Sequence, residues 1–235
     1  MSKISNNLYE NNEVYHPNGN LMFYCKMKRI NWYLARGLAR KIEDGKYILT
    51  FVPNGDGEPT EYLKKRRNIC VVSGETENLT KHHIVPYMYR RLFPMEYKDK
   101  NSTDLVLLTD DVHNRYEMLA DVLKKELFEK HITEEEVQIN RDIEGYKKVH
   151  RILSNGFDKL PAHVLNDIVN RYKEYRMRDV HLLEPIDYVQ LIVEREGVES
   201  LILMWKTHFI EYAKPEFMPK WWDPTDIKKI NRYGK

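Results

Sequence analysis

Thr80-Lys81-His82-His83-Ile84-Val85-Pro86 and, after a polar loop, Asp104-Leu105-Val106-Leu107-Leu108-Thr109-Asp110-Asp111-Val112-His113-Asn114-Arg115-Tyr116-Glu117 carry the strongest structural pattern in the chain. The first is a short strand-like segment that ends in paired histidines and closes on a proline. The second is an apolar strand that runs into a helix, with Thr109 or Asp110 as the residue whose side-chain oxygen caps free backbone N–H groups. Strand, loop, strand and helix in that order give a hairpin packed on a helix, in which His82, His83 and His113 can converge on one point. Neighbouring strand residues project to opposite faces, so the two adjacent imidazoles divide into a ligand and a base. Glu117 lies one helical turn beyond His113 on the same face.

These residue types suit cleavage of a phosphodiester bond. The attacking water must lose a proton near neutral pH, and a neutral imidazole takes it readily. The departing oxygen and the crowded phosphorane need a cation, which a divalent metal supplies as a Lewis acid. One ion is expected, with Mg²⁺, Mn²⁺ and Zn²⁺ all open, because two imidazoles favour softer ions while hydrolysis in cells suits Mg²⁺.

Working outward, the 235 residues carry 38 Lys and Arg against 36 Asp and Glu, a net charge of +2, so the chain is no polycation. Contact with nucleic acid, DNA or RNA, therefore needs local basic patches. Lys64-Lys65-Arg66-Arg67 is one candidate, Arg90 and Arg91 a second, and Arg115 at the start of the helix a third. Two distant cysteines, Cys25 and Cys70, make neither a disulfide framework nor a four-thiolate zinc site, and they point to an intracellular, reducing setting. No stretch approaches the ~20 apolar residues of a membrane span, and nothing resembles a signal peptide.

Residues 1–20 are polar and Asn-rich and read as a flexible arm. Leu21 to Tyr24 read as extended, and Trp32, Leu34, Ala35, Leu38 and Ala39 recur at helical spacing. Lys46 to Val52 is a strand closed by the Pro53-Asn54-Gly55 turn. After the histidines, Val112, Tyr116, Leu119, Leu123 and Leu127 form one stripe of a long helix. Leu160-Pro161 and Glu184-Pro185 mark further helix starts. Trp221-Trp222, between prolines, reads as an aromatic clasp. Asp142-x-Glu144 has no apolar strand before it and reads as a pair on a helix surface.

The pattern His-His-Ile-Val-Pro, a polar loop, then Asp-Leu-Val-Leu-Leu-x-x-x-x-His resembles the HNH (ββα-metal) endonucleases. It looks most like the HNH-like region at the C-terminus of animal 3′–5′ exonuclease-domain-containing proteins, over roughly residues 20–120, with a weaker echo in the helical remainder. That resemblance implies His83 as general base, His82 and His113 as metal ligands with Glu117 as a further one, and Asp104 in the place of an Asn that braces the base-bearing loop. It also implies a zinc knuckle, whose positions here read Cys70-x-x-Ser73 and Thr109-x-x-Val112, so that site is lost. The expectation is an α+β fold: a ββα-metal core with a small N-terminal β-containing part, the nuclease domain at 21–130 and a helical region at 131–235. The implied function is a metal-dependent HNH endonuclease. The alternative is an inactive HNH-derived module that binds nucleic acid or protein.

Overall fold

The computed structural model describes residues 8–55, 65–97, 104–155, 157, 160–220, 222–225 and 227, in a mixed α+β arrangement. Strands β1 (Asn12–Tyr15), β2 (Leu21–Cys25), β3 (Ala39–Glu43) and β4 (Lys46–Leu49) form one sheet in the order β2-β1-β4-β3, with helix α1 (Met27–Ala35) between β2 and β3. β1 runs antiparallel to β2 and parallel to β4. Val14, Met22, Ile30, Ala39, Tyr47 and Leu49 make the core. The exposed outer strand β3 carries Arg40, Lys41 and Glu43, charges that discourage pairing with another sheet edge.

Two expectations are corrected in this region. The polar stretch 1–20 is not an arm throughout, since β1 is an inner strand of the sheet with Val14 fully buried. Its polar neighbours are buried but bonded: the Asn12 amide donates to the Cys25 carbonyl at 3.1 Å, and Glu13 accepts from the Tyr15 hydroxyl at 2.6 Å and pairs with Lys65 at 2.9 Å. Burial pushes the Glu13 carboxyl up, but Tyr15 and Lys65 outweigh it and hold the group below its ordinary range. The helix expected to reach Ala39 stops at Ala35 instead. Gly37 turns the chain at φ +66°, a conformation glycine adopts without strain, and Ala39 opens β3.

The second sheet is a two-stranded antiparallel pair, β5 (Leu79–His83) and β6 (Leu105–Thr109), in the register Lys81↔Leu107, His82↔Val106 and His83↔Leu105. Helix α3 (Asp110–His131) follows β6 without a gap, with Asp110 and Asp111 in the first turn, where the helix dipole favours negative charge. Its buried stripe is Val112, Tyr116, Ala120, Leu123 and Leu127. Leu119, expected on that stripe, is exposed because the step of four from Tyr116 lands on Ala120.

The remaining helices are α2 (Tyr87–Arg90), α4 (Glu134–Ser154), α5 (Ala162–Met177), α6 (Tyr188–Glu196) and α7 (Val198–His208). Pro161 precedes α5, and Asp187 caps α6 by accepting from the Val189 and Gln190 amides. No described helix is long and apolar enough to cross a membrane. The chain divides into two units, one spanning Met1–Ile84, Ser102–Glu117 and His208–Asp226, the other Val85–Asn101, Met118–Thr207 and Ile227–Lys235. This division crosses the expected boundary near residue 130, because the helix start belongs with the hairpin that precedes it.

In the first unit the C-terminal segment joins the hairpin through the backbone: Val71 N–H donates to the Leu107 carbonyl and Phe217 N–H to the Val71 carbonyl, each at 2.9 Å. Trp221 of the expected clasp lies outside the described residues. Gly74, at φ +75°, faces the Phe217 ring so closely that a Cβ there would sit 2.8 Å from it. In the second unit Thr133 and Glu136 close a capping box on α4, and Glu136 also pairs with Arg195. Arg195, then the Thr133 amide, hold the Glu136 carboxyl down at about 2 against its ordinary 4.5.

Two outcomes follow from this packing. Gly74→Ala will destabilise the protein by about 1–3 kcal/mol in denaturant unfolding, through overpacking and positive-φ strain together, and a Phe217→Ala background will remove the overpacking part of that loss while the backbone strain remains. Glu136 has a depressed folded-state pKa, so its contribution is complete above about pH 4.5 and is lost as pH falls toward 2. Glu136→Gln will therefore melt below the native protein at pH 6, and the gap in circular-dichroism melts will narrow by pH 3.

Candidate metal centre

His82 sits at the fourth position of β5, and the register that pairs it with Val106 turns both toward α3. His113 and Glu117 are four residues apart on α3 and share one face. Glu117 Oε1 lies 3.5 Å from His82 Nδ1 and 3.5 Å from His113 Nε2. All three ligand atoms fall within 4.8 Å of one another, the one such group among the described residues. Donors that share an ion at bond lengths of about 2.1 Å stand roughly 3.0–3.4 Å apart, so two imidazole nitrogens and a carboxylate at this spacing fit a divalent cation.

The surroundings orient the ligands. The Thr80 hydroxyl donates to the Leu108 carbonyl at 3.3 Å and lies 3.1 Å from His113 Nδ1. With its single proton on that carbonyl, the hydroxyl accepts from His113 Nδ1–H. That tautomer leaves the Nε2 lone pair facing Glu117, the arrangement by which a second hydrogen bond orients a metal-binding imidazole. The His82 ring is buried, at 4% exposure, in an aromatic box. It meets Tyr116 edge-on at 5.2 Å and His113 at 4.9 Å, and it stacks on Phe209 at 6.0 Å. Tyr116 bonds His208 Nδ1 at 3.0 Å, and burial followed by the Glu117 charge pushes its phenol far up. Tyr116 thus stays neutral. Phe209 enters through a π-helical turn, Phe209–Ala213, that continues α7. Thr80, His208 and Phe209 escape a reading of the sequence because nothing local links residue 208 to residue 116.

The expected meeting of three imidazoles is corrected. Strand alternation sends His83 to the opposite face from His82, and the third member of the cluster is Glu117. Asp104 stands across from the end of β5, where its backbone carbonyl accepts from Ile84 N–H at 2.9 Å. Among the basic candidates, Arg115 is exposed and sits about 200° round the helix from His113, facing away. Lys65 pairs with Glu13, and Arg66 lies over the Tyr9 ring at 5.2 Å. Arg67 is exposed, and Lys64 lies outside the described residues. Arg91 pairs with Asp187 at 3.4 Å, and Arg90 lies beside it on α2. Asp142 is held by Arg178 at 2.7 Å, an ion pair on α4.

Around Cys70, hydrogen bonds brace the turn. Cys70 Sγ accepts from the Ser73 amide at 3.4 Å and the Thr109 hydroxyl at 4.0 Å. Burial raises the Cys70 thiol, but these bonds and those from neighbouring amides bring it below its ordinary value. On the outer face of β5, burial, then Lys26 and Arg66, push the Lys81 ammonium down, a sign of crowded positive charge.

Comparison with known proteins finds no matching family model and no matching solved structure. The chain is similar to mouse exonuclease 3′-5′ domain-containing protein 2, at 29% identity over 97% of this chain and 40% of the relative. The human protein of the same name shares 26% over 97% of the chain and 42% of its own length. Arabidopsis protein RRP6-like 3 shares 36% over 51% of this chain and 14% of its own length. The chain thus spans about two fifths of the animal relatives it matches. These names overturn the identification as an HNH endonuclease, since every relative is named for a 3′-5′ exonuclease domain or as RRP6-like and none for HNH. The inactive HNH-derived module gains nothing from them. Likeness extends along nearly the whole chain, including the helical remainder where only a weaker echo is expected. A histidine pair and a helix histidine specify a set of ligands; they do not specify which bond is cut or from which end.

Isothermal titration of the full chain with Mn²⁺ will show one site. His113→Ala or Glu117→Ala will abolish it, and Thr80→Val, which frees the His113 tautomer, will weaken it about 10- to 100-fold. Titration unchanged by these substitutions would place the ion elsewhere.

Proposed function

We propose that this chain is a divalent-metal-dependent nuclease region that shortens nucleic acid from a 3′ end. The observation that carries the reading is the convergence of His82, His113 and Glu117 in a chain whose length is covered almost entirely by exonuclease-domain relatives. In this reading His82, His113 and Glu117 hold a single Mg²⁺, Mn²⁺ or Zn²⁺ ion. Bound there, the ion would supply Lewis acidity toward the charge that develops on phosphate oxygens.

The chain's own groups do the rest. Thr80 fixes the lone pair of His113, and Phe209 and Tyr116 hold the His82 ring in place. His83, at the end of β5 directly after a ligand, takes no part in ion binding and is the proposed proton acceptor. It takes a proton from water as the water oxygen bonds to phosphorus and the bond from phosphorus to the 3′ oxygen breaks. The shortened strand keeps a 3′ hydroxyl and the released nucleotide a 5′ phosphate. Asp104 opposes the end of β5 and steadies the backbone at Ile84, next to that base. Arg66 and Arg67 are the proposed phosphate contacts, with Lys65 as a further cation.

Incubation of a 5′-labelled single strand with the protein and Mn²⁺ will give a ladder that shortens from the 3′ end, and EDTA will stop it. His113→Ala will remove the activity, and His83→Ala will lower the rate about 10²- to 10⁴-fold while leaving Mn²⁺ affinity unchanged. Cleavage of a covalently closed circle at the rate of the linear strand would contradict the exonucleolytic reading. Metal-independent cleavage would contradict the site.

A further inference from the structure

The first unit holds a cavity of about 330 Å³ on the outer face of the β5–β6 hairpin, away from His82. Its lining includes Leu105, Val106 and Leu107 of β6; Leu105 and Leu107 are the cross-strand partners of His83 and Lys81, and Lys81 lies over the ring of Tyr9, which also lines it, so the cavity reaches the face that His83 shares. Phe217 and Trp222 form one wall, and Arg66 and Arg67 line it from the other segment. Four of its fourteen lining residues are cations and none is an Asp or Glu. Tyr9 closes the rim, tied by its hydroxyl to the Leu105 carbonyl at 3.0 Å, with Arg66 and Lys81 over its ring at 5.2 and 5.5 Å. Its volume falls at the small end of ligand pockets, about 300–1,000 Å³.

Aromatic walls over an apolar floor suit a flat ring, and cations at the same opening suit a phosphate. We infer that this cavity is a subsite for one unstacked nucleotide of a single strand, with the base against Trp222 and Phe217 and its phosphate at Arg66 and Arg67. The inference rests on the nuclease reading for the identity of the strand, but the subsite itself binds without an ion. It makes the strand's contact with the protein two-sided: a base is held on the outer face while the next phosphates run along the end of β5. Proteins that hold single strands in this manner combine stacking rings with a positive groove and tolerate any base.

The test is fluorescence anisotropy of a labelled ten-nucleotide strand with the full chain in EDTA, beside the same strand made abasic throughout. The intact strand will bind about tenfold or more tightly than the abasic one. Trp222→Ala will erase that difference, Trp222→Phe will restore it, and Arg67→Ala will weaken both strands alike. Equal binding of the two strands, or a difference that survives Trp222→Ala, would overturn the subsite. His113→Ala will leave these affinities in EDTA unchanged; a native chain that prefers the intact strand but shows no metal-dependent cleavage fails the nuclease reading alone, and one that cleaves but binds both strands equally fails the subsite alone.

Discussion

Pairing of His82 with Val106 is the constraint on which the rest of the centre depends. A slip of one residue between β5 and β6 would send His82 to the outer face and bring Lys81 or His83 toward α3. The register is held by the apolar faces of β6, whose residues Val106, Leu107 and Leu108 are all buried, and by the backbone bonds that add Val71 and then Phe217 beyond Leu107. Because α3 starts directly after Thr109, the same register also sets where His113 and Glu117 fall. One strand pairing thus positions all three ligand atoms.

The hairpin divides the chemistry between its faces. The inner face is dry and aromatic. There the His82 ring gives up solvent and is held by Tyr116 and Phe209, while the partly exposed Glu117 and His113 leave a way in from water. The outer face is crowded with positive charge from Arg66, Lys81 and their neighbours, which disfavours cations and favours a polyanion. The positive surface thus lies on the far side of the strands from the His82, His113 and Glu117 group.

Much of this arrangement is legible in the sequence where the signal is local. The hairpin and long helix follow from the apolar run Leu105–Leu108 and the period of α3, and the i, i+4 spacing of His113 and Glu117 puts them on one face by helical geometry alone. Long-range features are not legible. Thr80 as the partner of His113, His208 behind Tyr116 and Phe209 against His82 depend on contacts across tens of residues. β1 is hidden for a different reason: Asn12 and Glu13 look like surface residues, and only their bonds to Cys25, Tyr15 and Lys65 offset the cost of burying them. The reaction is less legible still, because ligand geometry is shared among nucleases of different polarity, and the relatives, not the histidines, direct the reading toward exonucleolysis.

Crystals soaked in Mn²⁺ and measured for anomalous scattering give the most direct test. The account predicts one strong peak within bonding distance of His82 Nδ1, His113 Nε2 and a Glu117 carboxylate oxygen, with His113 Nδ1 still bonded to Thr80. A peak bound elsewhere, or a His82 ring turned so that Nδ1 faces away from Glu117, would contradict it.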